Sequence, residues 1–287
     1  MKFLAFQQDG VEGLAVVDTL GAIRGRLRTD PAFPGALDAL IGKGAAAVEA
    51  AGAALSAAPH LDPETLTCLP PLPAPGKIIC VGQNYYDHRK ETGTAEPVDY
   101  PTIFVRFASS LIGHGAAMVR PKASDKLDYE GELAAVIGRG GRHIAKADAL
   151  AHVAGYSVFN DGSIRDYQRK TSQWTVGKNF DATGAFGPYF VTADLVPPGA
   201  AGLRLETRLN GEVMQRASTA DMIFDVGDLI GRLSEVMTLA AGDIIVTGTP
   251  GGVGVARTPP LWMKPGDVCE VEIEGLGLLR NPIVAET

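Results

Sequence analysis

The order of apolar and polar residues divides the chain into a short opening unit and a longer body rich in strands. Three brief apolar runs come first, at 2–6, 14–17 and 22–27, separated by turn residues at Asp9-Gly10 and Gly21. Such runs and turns predict a small antiparallel meander. Residues 44–58 are alanine-rich with few breakers, which predicts a helix. The stretch 69–76 then reads Leu-Pro-Pro-Leu-Pro-Ala-Pro-Gly, and its prolines can continue neither a helix nor a central strand. The chain thus reads as a small N-terminal α/β domain over 1–69, a linker over 70–76 and a second domain over 77–287.

In the second domain, 203–209 and 212–215 flank Asn210-Gly211, a strong two-residue hairpin signal. Val226, Leu229, Ile230, Leu233, Val236 and Met237 recur at helical spacing, and Gly242 suits the stop that follows. A strand over 243–247 and a hairpin joining 268–273 to 276–279 complete the pattern. The expected class is α+β, mainly β. No run approaches the ~18 apolar residues of a membrane span. The first apolar run turns polar at Gln7-Gln8-Asp9-Gly10, so no secretory signal is expected. The expected compartment is the cytoplasm.

Composition narrows the classes. A chain of 287 residues with 46% hydrophobic and 21% charged residues has the material for a real core, which excludes a mostly disordered protein. Lys plus Arg number 26 against 33 acids, a net charge of −7, so there is no general attraction to nucleic acid or anionic membranes. A small anionic substrate needs only a local positive site. Cys68, Cys80 and Cys269 are far apart and form no Cys-x-x-Cys pair, which argues against structural zinc and a disulfide framework.

Candidate chemistry begins at Asp128, Glu130 and Glu132. Residues at a spacing of two share one face of a strand, and 133–138 is apolar enough to be a buried one. Three carboxylates on one face repel unless a cation or proton compensates, and oxygen donors favour Mg²⁺, Mn²⁺ or Ca²⁺ over zinc. The alternative is a solvated edge strand. Asp161 ends another apolar run and could complete the site, or merely cap a turn. Lys178, in Gly177-Lys178-Asn179-Phe180-Asp181, is either part of the site or a solvated surface lysine.

Taken in order, the motifs are Gly82-x-Asn84-Tyr85-x-x-His88-x-x-Glu91, Glu130-x-Glu132 and Asn160-Asp161-x-Ser163-x-Arg165-Asp166-x-Gln168. Gly177-Lys178-x-Phe180-Asp181 and Thr247-Gly248-Thr249-Pro250-x-Gly252-Val253-Gly254 follow. This series closely resembles the fumarylacetoacetate hydrolase superfamily, in its bacterial 2-oxo acid, acylpyruvate hydrolase-like branch. The resemblance implies a mixed β-sandwich roll with a small N-terminal domain, assembled as a homodimer. It implies that Glu130, Glu132 and Asp161 ligate Mg²⁺ or Mn²⁺, with Ca²⁺ an alternative in crystals, and that Asp128 lies close without being a ligand. Lys178 and Gln168 would line the substrate site, and Thr249 with nearby amides would hold a substrate carboxylate. His88 and Glu91 would be the acid/base pair; three apart, they share a face of one helical turn. Two departures bear on the pocket: Gly162 and Ile164 stand where relatives often carry Val and Ala, and Arg106-Phe107 where many carry Lys-Pro.

The implied chemistry starts from a 2-oxo acid with a second carbonyl, of the acylpyruvate or fumarylpyruvate type, chelated by the cation as Lewis acid. His88, oriented by Glu91, would take a proton from water for attack on the distal carbonyl, and Lys178 would stabilise the oxyanion. Carbon–carbon hydrolysis of a 2,4-dioxo acid, in catabolism of aromatics or sugar acids, is the first expectation because the His–Glu pair is complete. Oxaloacetate decarboxylation, or isomerisation or hydration of an enol acid, would use the same site. A non-catalytic metal-stabilised binding protein is a further alternative, against which His88, Glu91 and Lys178 stand. A dinucleotide fingerprint at Gly138-Arg139-Gly140-Gly141 fails because position 143 is His and no helix opens at the glycines. No Gly-x-Ser-x-Gly occurs. The polar segment 86–99, with Gly93 and Pro97 and few apolar anchors, is expected to be a mobile lid.

Overall fold

In the computed structural model, which describes residues 1–94 and 98–287, the opening runs form the expected meander. β1 (Lys2–Gln8), β2 (Val11–Val17) and β3 (Ile23–Leu27) pair antiparallel in that order. The first turn is tight because Asp9 and Gly10 both take positive φ, 50° and 79°, the backbone hand that matches strand twist in a two-residue hairpin. α1 (Leu37–Lys43) and α2 (Ala45–Ser56) lie against the meander, with Leu40, Ile41, Val48 and Leu55 in one core with Phe3, Leu14 and Val16. β4 (Thr67–Cys68) then returns to β1. The proline-rich stretch after it is packed rather than loose: Leu72 is fully buried in that same core.

The body continues with β5 (Ile78–Gly82), α3 (Tyr86–Glu91), β6 (Thr102–Arg106), β7 (Leu111–Ile112) and β8 (Met118–Arg120). β9 (Leu127–Asp128), β10 (Gly131–Ile137), β11 (Val153–Asp161) and β12 (Ser163–Ile164) follow. Two one-turn helices, α4 (Arg165–Gln168) and α5 (Thr175–Lys178), precede β13 (Gly184–Thr192). The predicted hairpin is β14 (Arg204–Leu209) with β15 (Glu212–Ser218), and the predicted helix is α6 (Val226–Val236). β16 (Ile244–Val246), β17 (Val268–Ile273) and β18 (Gly277–Ala285) close the chain.

The main sheet runs β3-β2-β1-β13-β11-β10-β16-β5-β6, with β4 beside β1 and β7 beside β13. A second sheet, β15-β14-β17-β18-β8, packs against it, and β9 pairs with β12. β1 enters the main sheet by pairing Lys2 with Val191 and Phe3 with Phe190. The proline-rich stretch therefore divides the sequence, not the sheet. Among the described residues no helix is long and apolar enough to cross a membrane.

β10 positions the site. Its Leu133, Ala135 and Ile137 share a core with Val271 and Ile273 of the second sheet and Leu229, Ile230 and Leu233 of α6. Ala134 and Val136 face the opposite core, with Phe159 and Phe186. Burial on both faces is why 133–137 is apolar without alternation. The period of two puts Glu132 on the Ala134 face, where its cross-strand partner is Phe159. Asp161, two residues beyond Phe159 on β11, falls on that same face.

Asn84, between β5 and α3, ties these layers together. Its side-chain amide donates to the carbonyls of Phe224 at 2.9 Å and Thr247 at 2.7 Å, and its oxygen accepts from the Phe224 amide at 2.8 Å. Removing a fully buried clamp leaves three backbone groups unpaired. Asn84→Ala is therefore expected to cost about 3–5 kcal/mol in urea unfolding; a loss below about 1 kcal/mol would show that the clamp carries no weight.

Candidate active site

Glu130, Glu132 and Asp161 are all buried, and one carboxylate oxygen from each lies within 4.8 Å of the others. The register explains the convergence: Asp161 donates its amide to the Glu130 carbonyl at 2.9 Å across the β10–β11 pair. Lys178 Nζ pairs with both Glu130 and Asp161, and Arg106 Nε with the other oxygen of Asp161. Arg165 places Nη2 2.8 Å from Glu130 and Nε 2.7 Å from Asp128.

Asp128 does not share the face with the two glutamates that strict alternation would give it. The strand breaks at Tyr129 and Glu130, and Asp128 turns to accept from the amides of Gly254 at 2.8 Å and Val255 at 3.0 Å. It holds Arg165 and a loop, and stands outside the group able to hold a metal.

The electrostatics leave one carboxylate over. Asp128, Glu130, Glu132 and Asp161 face Arg106, Arg165 and Lys178, four negative groups against three positive. Burial pushes the Glu130 carboxyl up, but Arg165, Lys178 and His88 hold it below its ordinary value. Glu132 has no cationic side chain in ion-pair contact among the described residues and accepts only the Gly248 amide, at 2.5 Å. Burial first, then Asp161 and Glu130 beside it, push its carboxyl well above the carboxylate range. The Lys178 ammonium, disfavoured by burial, is held charged by Asp161 and Glu130, so its pKa is raised. Three converging oxygen donors, one of them without a cationic partner among the described residues, fit a hard divalent cation.

His88 Nδ1 lies 2.8 Å from Glu91 Oε1, and the other Glu91 oxygen accepts the Gly252 amide at 2.8 Å. The expected pair is thus in contact on one turn of α3. The described part of the expected lid is less free than its polarity suggests. Tyr86–Glu91 is helical, and His88 and Arg89 are buried because the Glu91–Gly252 bond and the buried Tyr85 dock the turn. Pro97 lies outside the described residues.

A cavity of about 360 Å³ opens over these groups, lined among others by His88, Glu130, Glu132, Arg165, Gln168, Lys178 and Thr249. Val81, Phe104, Trp174 and Val255 form its apolar wall. The Trp174 ring lies so close to Gly82 that a Cβ there would sit 2.2 Å from it. Gln168 spends its side-chain oxygen on Arg165 Nη1, at 3.0 Å, which leaves its NH₂ group for the cavity. The Thr249 hydroxyl donates to the Gly131 carbonyl at 3.0 Å and accepts from Gln215 at 2.8 Å. Its single proton is committed, so this hydroxyl does not offer the expected donor to a substrate carboxylate. Its backbone amide has no protein partner among the described residues.

Sequence reasoning assigns no role to Arg165, Arg169 or Trp174 and marks Arg106 only as a departure bearing on the pocket; the fold brings all four to the acid cluster or its cavity. The one available signal is that Arg165 shares a motif with Asp161 and Gln168.

The family model for the fumarylacetoacetate (FAA) hydrolase C-terminal region matches residues 77–284. Over 258 residues the chain is 44% identical to a mitochondrial oxaloacetate tautomerase of Homo sapiens, covering 89% of this chain and 82% of that protein. A fumarylacetoacetate hydrolase structure from psychrophilic Exiguobacterium antarcticum is 38% identical, with TM-score 0.86 and full coverage of both chains. A maleylpyruvate hydrolase from Sphingobium sp. SYK-6, solved with manganese(II) ion and pyruvate, is 27% identical with TM-score 0.82, again with both chains fully covered.

Two substitutions separate ligand from support. Glu132→Gln is expected to weaken Mn²⁺ binding by at least about tenfold in calorimetric titration. Asp128→Asn is expected to keep one Mn²⁺ per chain while lowering unfolding stability by about 2–4 kcal/mol, since a buried charged acceptor is lost. Loss of the Mn²⁺ site in the Asp128 variant with unchanged stability would reverse the assignment.

Proposed function

The chain belongs to the fumarylacetoacetate hydrolase family, and from that premise we propose that it is a divalent-metal-dependent enzyme interconverting the keto and enol forms of a small 2-oxo acid of the oxaloacetate type. The observation that carries the reading is the His88–Glu91 pair in the wall of the cavity that also holds the acid cluster. When bound by Glu130, Glu132 and Asp161, Mg²⁺ or Mn²⁺ supplies Lewis acidity toward the oxygens of a 2-oxo carboxylate.

The protein's own groups supply the rest. With Nδ1–H donated to Glu91, His88 presents the Nε2 lone pair as base. It takes a proton from the carbon beside the keto group, and returns one there in the reverse direction. The net change moves one proton between carbon and oxygen, and no bond of the carbon skeleton breaks. The Gln168 NH₂ group and the Thr249 amide offer donors to the substrate carboxylate. Phe104 and Trp174, with ring centroids 5.6 Å apart, help keep bulk water from the site.

Motifs alone place carbon–carbon hydrolysis first. Tautomerisation takes that place here, because the relatives named as tautomerases are more alike in sequence than the maleylpyruvate hydrolase, and because proton transfer needs no nucleophile beyond the His–Glu pair. Hydrolysis of an acylpyruvate stays as the second reading, supported by a histidine equally able to activate water.

Ultraviolet absorbance of enol oxaloacetate distinguishes them. With Mg²⁺ or Mn²⁺ the protein is expected to speed ketonisation, to lose that activity in EDTA and to regain it when the metal is restored. His88→Ala should lower turnover by about 10²–10⁴-fold with Mn²⁺ binding retained. Acylpyruvate cleavage without ketonisation would install the second reading, and absence of both would end the proposal.

A further inference from the structure

The cations of the cavity differ in one respect. Arg165 and Lys178 are spent on the acid cluster, and His88 is held by Glu91. Arg169 also lines the cavity, yet among the described residues its guanidinium has no ion pair or hydrogen bond. Its position follows from α4: Arg165, Gln168 and Arg169 are related by three and four residues and so share one face. The neighbouring Lys170 instead stacks on Tyr167, its Nζ 3.4 Å from the ring centroid, outside the cavity lining. Of the polar groups across the cavity, the Thr92 hydroxyl is committed to the His88 carbonyl and the Gln83 oxygen to Arg89.

The cavity therefore has three zones: the carboxylate cluster, an apolar wall of Val81, Phe104, Trp174 and Val255, and one unspent guanidinium at the exposed side. At about 360 Å³ it stands near the small end of ligand pockets. A planar fork of donors matches a carboxylate in two-point contact. We infer that Arg169 reads the second carboxylate of the substrate, making the protein selective for 2-oxo dicarboxylates over 2-oxo monocarboxylates of equal length. This rests on the 2-oxo acid reading of the site.

Two probes differing only at the far end test it: 2-oxoglutarate, and 2-oxopentanoate with a methyl in place of the distal carboxylate. Calorimetry on the Mn²⁺-loaded protein is expected to show 2-oxoglutarate binding about tenfold tighter or more. Arg169→Gln should bring the two affinities to near equality by weakening 2-oxoglutarate alone, and Arg169→Lys should keep part of the preference. An unchanged ratio in Arg169→Gln, equal weakening of both probes, or no preference in the wild-type protein overturns the assignment. If the loaded wild-type protein binds neither probe, the 2-oxo acid reading fails and the selectivity falls with it.

Discussion

Four carboxylates are buried against three cationic side chains where β9, β10 and β11 meet, and much of the architecture serves that imbalance. An isolated buried carboxylate takes up a proton rather than stay charged. Positive charge reaches three of the four from several directions: Arg106 from the end of β6, Arg165 from α4 and Lys178 from α5, while Glu132 has no such partner among the described residues. The Gly248 amide adds a partial charge from the loop after β16. Such clusters are poor stabilising devices, because desolvation offsets most of the attraction between their members. Their presence in the interior points to chemistry rather than to folding.

The same arrangement separates what must stay fixed from what can vary. Glu132 and Asp161 sit on adjacent strands of a sheet buried on both faces, with Glu130 in the break just before β10, and the register holds them there. Part of the cavity wall comes from short helices and connecting segments, where Trp174 and Arg169 stand clear of the ion pairs, whereas Phe104 belongs to β6 and places its ring centroid 4.8 Å from Lys178 Nζ. Relatives with one fold and differently named reactions are consistent with that division of labour.

The legible parts of the structure are those with local signals. The apolar spacing of α6, the Asn-Gly turn of β14–β15 and the uninterrupted run of β10 depend on neighbours in sequence. Glu130, Glu132 and Asp161 are legible because spacing and strand ends express their placement. Asp128 has the same spacing, but no local feature announces the break at Tyr129 that turns it away. Arg106 meets Asp161 across 55 residues of sequence, and periodicity carries no information over that range. The prolines of 70–76 predict absence of regular structure correctly and say nothing of the packing that buries Leu72. Thr249 shows the opposite failure: the residue reaches the cavity, but hydroxyl commitment is decided by Gly131 and Gln215, which only the fold brings near.

The pairing of β1 with β13 has a temporal side. The first strand reaches its place beside Val191 and Phe190 only after those residues exist. At about 5–20 residues per second of synthesis, that is on the order of ten to forty seconds. During this interval the meander, its two helices and β4 can form among themselves, but at Lys2 and Phe3 the far edge of β1 has no neighbour, and an unpaired strand edge is a template for the wrong one. The parallel pairing of β5 with β16 imposes a second wait of similar length. A chain whose main sheet joins β1 to β13 and β5 to β16 folds slowly for reasons of topology, and its yield in a cell depends on what shields those edges meanwhile.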